Sequence, residues 1–378
     1  MQQEYFGVGA IESLAKVVAQ ENPKNILLVT GKKSFEFCGA KKKIEEILKG
    51  YPVVHFFDFD VNPKIEDIKR GIKLFCKVNI DLVIAVGGGS ALDTAKSISL
   101  LAMQSGKPEA YIKQKNKIEQ PAQTLVAIPT TSGTGSEATS FAVVYINKVK
   151  YSLAHASLLP FYVILDPSLT FCLPPNVTAS TGIDALAQAI ESYWSVSSTE
   201  ESQQYSRQAI TLIRNNLILA VKENSKKARV AMAKGANLAG KAINIAKTTA
   251  CHAISYPITS YFGVPHGHAV ALTLPQMLIY NSAISKDNSL DKRGSVYVKK
   301  TIQEVVGMLG CSTIKEAKQW IDNLMDEIGL ERRLAQLGIQ TEKDITLILE
   351  NGFDPERVKN NPRMLTKDAL RKMLIRLL

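Results

Sequence analysis

The sequence predicts an N-terminal α/β domain built on a doubly wound, mostly parallel sheet, followed by an all-α C-terminal domain. Three observations carry that expectation. Short apolar runs alternate with amphipathic stretches through the first half, the pattern of successive strand–helix units. Two of those runs end in glycine- and hydroxyl-rich turns, Gly87 to Ser90 and Thr130 to Ser136. From about Leu173 long apolar stretches at helical spacing take over, with no further convincing strand. A chain of 378 residues is too long for one small core, so two domains are expected, residues 1–171 and 172–378.

Asn25 to Thr30, rich in branched residues, is the first predicted strand, and Gly31-Lys32-Lys33-Ser34 turns it into a helix. Tyr51 to Phe57 is the second strand, followed by helical periodicity over Ile65 to Val78. Asp81 to Val86 is almost uniformly apolar, as a strand covered on both faces must be, and Gln123 to Ile128 is the fourth. Phe141 to Ile146 with Tyr151 to Leu153 reads as a hairpin, and Tyr162 to Leu165 as the last strand. Beyond it, Ala179 to Trp194, Glu201 to Val221 and Lys226 to Tyr261 read as long helices. Lys286 to Arg293 reads as a loop, Thr313 to Ile328 and Lys367 to Leu378 as helices, and Asn360 to Thr366 as a turn.

Composition narrows the function classes. The hydrophobic share of 46% and charged share of 21% are those of a globular protein. No apolar run reaches the roughly 18 to 20 residues that span a bilayer, and Met1 to Tyr5 lacks the basic start of a secretory signal, so a cytoplasmic protein without a membrane partner is expected. Five scattered cysteines, none in a Cys-x-x-Cys pair, argue against a disulfide framework or a thiolate zinc site. The net charge of +11 comes from dispersed lysines without interleaved aromatics, which speaks against nucleic acid and for a surface that draws in anionic small molecules.

A strand that passes through Gly88, Gly89 and Ser90 into a helix offers open backbone N–H groups at a helix N-terminus, a geometry that binds phosphate. The spacing is not the usual G-x-G-x-x-G, so a plain tight turn is the competing reading. The second turn adds the hydroxyls of Thr130, Thr131 and Thr134, and a dinucleotide is long enough to use both. No acid stands in the turn from Gly31 to Ser34, where one would hold a ribose 2′-hydroxyl, and two lysines do. NADP is therefore favoured there, with NAD not excluded.

Three of the five histidines, His252, His266 and His268, fall within seventeen positions of apolar sequence that reads as buried helix. Buried imidazoles need partners, and a metal ion or a reacting substrate is one.

Gly87 to Lys96, Ile128 to Glu137, Asp166-Pro167, Thr181 to Asp184, Pro265-His266-Gly267 and Asn361 to Arg363, in this order, resemble the iron-containing (group III) alcohol dehydrogenase family over nearly the whole chain. The resemblance implies the fold shared with dehydroquinate synthase: a nucleotide-binding α/β domain, a helical metal and substrate domain, a cleft between them and a homodimer. It places Asn62, Asp93 and Lys150 in the nucleotide site beside the turn residues, and assigns a divalent metal, iron or zinc, to Asp184, Gln188, His252 and His266. Asp184 and Gln188 lie one helical turn apart and share a face, but Gln188 replaces a histidine of the family, and an amide oxygen is the poorer ligand.

Within the family, Lys247 to Tyr256 looks most like the phosphonoacetaldehyde reductases of phosphonate biosynthesis. Tyr256 stands where a histidine is common, and its hydroxyl suits proton donation to an alkoxide. His268 is the alternative relay, aligned with His266 on an extended segment and opposed to it on a helix. Lys247 suits an anionic substrate group, although a lysine that merely reaches solvent from its helix fits equally. The expected activity is NAD(P)H-dependent reduction of a small aldehyde, with phosphonoacetaldehyde to 2-hydroxyethylphosphonate as the specific candidate. An alcohol dehydrogenase of uncharged short alcohols, a lyase resembling dehydroquinate synthase and a catalytically decayed nucleotide-binding protein are the alternatives.

Overall fold

Along the strands of the first half, successive side chains pack into two different cores. Leu27, Val29, Val83, Ala85, Leu125 and Ala127 enter one, and Ile26, Leu28, Leu82, Ile84, Val126 and Ile128 the other. The computed structural model describes residues 2–147, 149–353 and 358–378. Its first compact unit, Met1–Leu173, runs through β1 (Gln3–Phe6), α1 (Ser13–Glu21), β2 (Ile26–Thr30), α2 (Ser34–Phe37), α3 (Ala40–Ile47), β3 (Val53–Phe56), α4 (Ile65–Val78), β4 (Leu82–Gly87), α5 (Gly89–Leu101), α6 (Pro108–Ile112), β5 (Leu125–Pro129), β6 (Phe141–Ile146), β7 (Val149–Ala154) and β8 (Tyr162–Leu165). Six strands pair in parallel in the order β1-β8-β5-β4-β2-β3, and β6 and β7 form a separate antiparallel hairpin. The sequence reading omitted β1, a four-residue edge strand with no buried residue to announce it.

The second unit, Pro174–Leu378, is helical, as expected. It is organised around α7 (Pro175–Trp194), which starts with proline at its first position and is buried on nearly every side. Around it lie α8 (Glu200–Lys222), α9 (Lys226–Ala246), α10 (Ala250–Phe262), α11 (His266–Ser282), α12 (Ser295–Met308), α13 (Ile314–Glu327), α14 (Glu342–Gly352) and a last helix, Lys367–Ile375. Small residues let helices approach α7 closely: a methyl at Gly182 would stand 2.3 Å from Leu217 Cδ1. Among the described residues no helix is long and apolar enough to cross a membrane.

The single helix expected over Lys226 to Tyr261 is in fact two. The chain breaks at Lys247, whose φ of 62° and ψ of 174° end α9, and α10 begins three residues later. Neither glycine nor proline marks the break.

Lys96 ties α5 to the second glycine turn. Its side chain is wholly buried, and its ammonium donates to the carbonyls of Ser136, Thr139 (2.7 Å) and Phe141 (3.1 Å) and to Thr139 Oγ1 (3.0 Å). Burial pushes its pKa down to about 8, against the pull of the Asp93 and Glu137 carboxylates. Lys96→Met keeps the volume but takes the ammonium donor from Thr139 O, while Ser136 O and Phe141 O keep only the longer bonds from Thr139 (3.2–3.3 Å), and a buried carbonyl that loses its donor costs about 1–3 kcal/mol. Urea denaturation should show a loss of about 1–3 kcal/mol; a variant as stable as the native protein would show that the ammonium is not what holds the turn.

Candidate functional site

In the first unit the chain leaves β2 for β3 and returns to β4 on the other side of β2, so the strand order reverses there. Ligands of open α/β sheets bind at the carboxyl ends of strands flanking such a reversal. Gly31 and Gly87 stand at those two ends, and a methyl at Gly87 would lie 3.6 Å from Gly31 N. Gly88 caps α5, which begins at Gly89. A methyl at Gly88 would come within 3.3 Å of Thr131, and one at Gly89 within 2.8 Å of Thr134, so the two turns touch through glycine. Asn62, at φ 62°, donates its backbone N–H to Ser90 Oγ (3.2 Å). Ser34 Oγ occupies the space beside Gly31, 2.3 Å from where a methyl would be.

The structure thus brings Gly31, Ser34, Asn62, Gly88, Gly89, Ser90, Thr131 and Thr134 to one end of the sheet. Asp93 and Thr130 are buried beneath them. The Asp93 carboxylate accepts from Ser136 Oγ (2.5 Å) and Val143 N (3.0 Å), and Thr130 N–H donates to Gly87 O (2.9 Å), so both shape the turns from within. Lys150, on β7, acts on Asp93 through its charge.

In the second unit, Asp184 and Gln188 project from the same face of α7, and Gln188 Nε2 donates to Asp184 Oδ2 (3.1 Å). Gly263, at φ 72°, closes α10, and Pro265 caps α11, which makes His266 its first residue. Gly267 permits the closest helix contact of the site: a methyl there would stand 1.9 Å from Ser180 O and 2.6 Å from Asp184 Cβ. Asp184, His252 and His266 consequently offer ligand atoms within 4.8 Å of one another. His252 and His266 meet edge to face with centroids 5.5 Å apart, and Tyr256 stacks on His266 at 5.9 Å. Ser255 Oγ lies 3.3 Å from His266 Nδ1.

The residues fit a cation. His252 Nε2 is buried without a hydrogen bond, and Asp184 Oδ1 stands 3.4 Å from it. Burial works against a charge on this ring, but Glu191 and Asp184 outweigh it and raise the His252 pKa to about 9. The pocket therefore demands positive charge, which a proton or a metal ion meets. One carboxylate and two imidazoles are ligands suited to zinc or iron.

His268 does not join this group. Two residues along α11 from His266 it faces the other way, and its Nε2 bonds to Glu331 O (2.6 Å). Lys247 is exposed at the α9–α10 break and donates to Asn244 O (3.1 Å). Sequence reasoning missed Glu191, which is fully buried and touches His252, Thr249 and Cys251. Its signal was present: a lone carboxylate seven residues after Asp184, on the same helix face, in otherwise apolar sequence.

The chain matches the family model of iron-containing alcohol dehydrogenase over residues 2–167, and the C-terminal domain model of the Fe-containing alcohol dehydrogenase family over residues 178–378. It is 32% identical to alcohol dehydrogenase 4 of Saccharomyces cerevisiae across 97% of this chain and 94% of that protein. It is also 32% identical to phosphonoacetaldehyde reductase of Streptomyces viridochromogenes, across 79% of this chain and 76% of that one. Among solved structures, sulfoacetaldehyde reductase of Bifidobacterium kashiwanohense in complex with NAD+ has a TM-score of 0.89 at 29% identity, covering 100% of this chain and 96% of the other.

Gly267→Ala should force α11 away from α7, costing about 1–3 kcal/mol as overpacking does, and should lower zinc retention by moving His266 from Asp184. Chemical denaturation and metal content after dialysis check this; native values for both would disprove the close approach.

Proposed function

The chain belongs to the iron-containing alcohol dehydrogenase family and is an NAD(P)-dependent oxidoreductase of aldehydes and alcohols, and we propose that it reduces a small aldehyde carrying a tetrahedral oxyanion. The observation that carries the chemistry is the convergence of Asp184, His252 and His266. When bound, the nicotinamide supplies hydride and a divalent cation supplies Lewis acidity to the carbonyl. Asp184, His252 and His266 would hold the cation. Tyr256, stacked on His266, presents its hydroxyl as the proton donor to the product oxygen. The His268 ring is engaged elsewhere, which leaves Tyr256 as the relay.

Two observations support the anionic substrate. Two relatives act on phosphonoacetaldehyde and sulfoacetaldehyde, and Lys247 is held at a backbone conformation that only glycine adopts without strain. Such strain, about 1–3 kcal/mol, persists where the side chain has a use. We assign Lys247 the oxyanion of the substrate, five residues before His252.

For the nucleotide we favour NADP. Gly31 leaves the 2′-position without an acid, and Lys32 and Lys33 follow it. Lys32 also pairs with Asp58 (3.2 Å) and Asp60 (3.8 Å), exposed contacts of the kind worth at most about 1 kcal/mol each.

Substrate-dependent oxidation of NADPH by the metal-loaded protein, tested with phosphonoacetaldehyde and propanal, decides the main reading; no oxidation with either would refute it. Lys247→Gly removes the strain with the charge. It should raise KM for phosphonoacetaldehyde by roughly 10-fold or more, the worth of a charge-assisted hydrogen bond, leave KM for propanal unchanged and leave stability equal or higher. Equal effects on both aldehydes would remove Lys247 from the substrate site. Gly31→Asp should shift preference from NADPH toward NADH by roughly 10-fold, about 1.4 kcal/mol, and an unchanged ratio would show that this turn does not read the 2′-position.

A further inference from the structure

Glu191 has its carboxylate in the interior of the second unit, with no exposed surface. Oε1 accepts from Thr249 N (3.1 Å), Thr249 Oγ1 (2.6 Å) and Cys251 N (2.9 Å). Oε2 is in short contact with His252 Nδ1. Thr249 caps α10 and Cys251 is its second residue, so the carboxylate sits at the positive end of that helix. Three donors thus converge on Oε1 at a helix N-terminus, so every hydrogen bond this oxygen makes is one it accepts.

An anionic carboxylate only accepts hydrogen bonds, whereas a neutral imidazole has one nitrogen of each kind. We propose that Glu191 is a positioning residue that fixes His252 with its proton on Nδ1, so that Nε2 keeps its lone pair for the metal. The assignment rests on the metal reading above and deepens it. Nε2 is the nitrogen near Asp184 Oδ1, at 3.4 Å, and it is the one that makes no hydrogen bond. The opposite tautomer would set the Nδ1 lone pair against a carboxylate oxygen, leave that oxygen without its donor, and block the metal with an N–H. The same side chain starts α10 at the register that brings His252 toward Asp184, so ring orientation and ring tautomer have one source.

Replacement by the isosteric amide separates chemistry from packing. In Glu191→Gln the amide oxygen is retained by the three donors of Thr249 and Cys251, which turns the NH2 group to His252 Nδ1. That nitrogen must then accept, and the proton moves to Nε2. Glu191→Asp keeps an acceptor-only group and should preserve the native tautomer.

The test uses the full chain and zinc ion alone as the probe. Competition with a chromophoric chelator gives the zinc dissociation constant, and heteronuclear NMR of the imidazole nitrogens in the zinc-free protein, taken above the His252 pKa of about 9 so that the ring is neutral, reports which one carries the proton. Glu191→Gln should bind zinc at least roughly 10-fold more weakly than native protein, as loss of a partner to a metal-bound histidine does. Its His252 should be protonated on Nε2, and Glu191→Asp should recover Nδ1 protonation and part of the affinity. Native zinc affinity in Glu191→Gln, or a persistent Nδ1 proton, would overturn the assignment while sparing the metal reading. Where Glu191→Gln does not fold, the native zinc form still decides: coordination through Nδ1 overturns it. Failure of the native protein to bind zinc or iron would remove the metal reading and this assignment together.

Discussion

The buried Glu191 carboxylate is the constraint on which the second unit's site depends. An ion removed from water costs several kcal/mol unless it is fully bonded, and here α7 supplies the charge while the Thr249 to His252 segment supplies the donors. Trp194 adds to the same junction by donating to Thr249 Oγ1 (3.1 Å). Those bonds account for where α10 begins, and they offset the strained backbone at Lys247 just before it. Close approach at Gly267 completes the arrangement from the side of α11.

Gln188 occupies the position at which the resemblance to the family leads one to expect a histidine. An imidazole there would offer a nitrogen lone pair; the amide instead spends an N–H on Asp184 Oδ2. The substitution thus fixes the orientation of one carboxylate at the expense of basicity at the centre, and it loads more of any cation binding onto His252 and His266.

Much of this was legible in the sequence, and the rest was hidden for physical reasons. Alternation of apolar side chains located β2, β4 and β5, because each strand buries both faces. The four-residue edge strand β1 has no such pattern. The α9–α10 break was invisible because a lysine, not a glycine, adopts the positive φ. Asp184, Gln188, His252 and His266 were read as candidate metal ligands from motif order, and the structure converges the first, third and fourth of them, but the role of His268 depended on whether its segment was extended or helical, which spacing alone does not decide. Glu191 escaped notice because an acid in a helix is usually a surface residue; only its phase relative to Asp184 separates it from that majority.

Lys96 has a consequence of another kind. Its ammonium is wrapped by carbonyl oxygens much as a potassium ion is wrapped by a crown ether, except that this ion is tethered to α5 and cannot diffuse away. The loop from Ser136 to Phe141 is therefore gathered around a cation that belongs to the chain itself rather than to the solvent. Enclosed in this way, the amine is closed to acylating reagents, unlike Lys227 and Lys299, which lie at the surface.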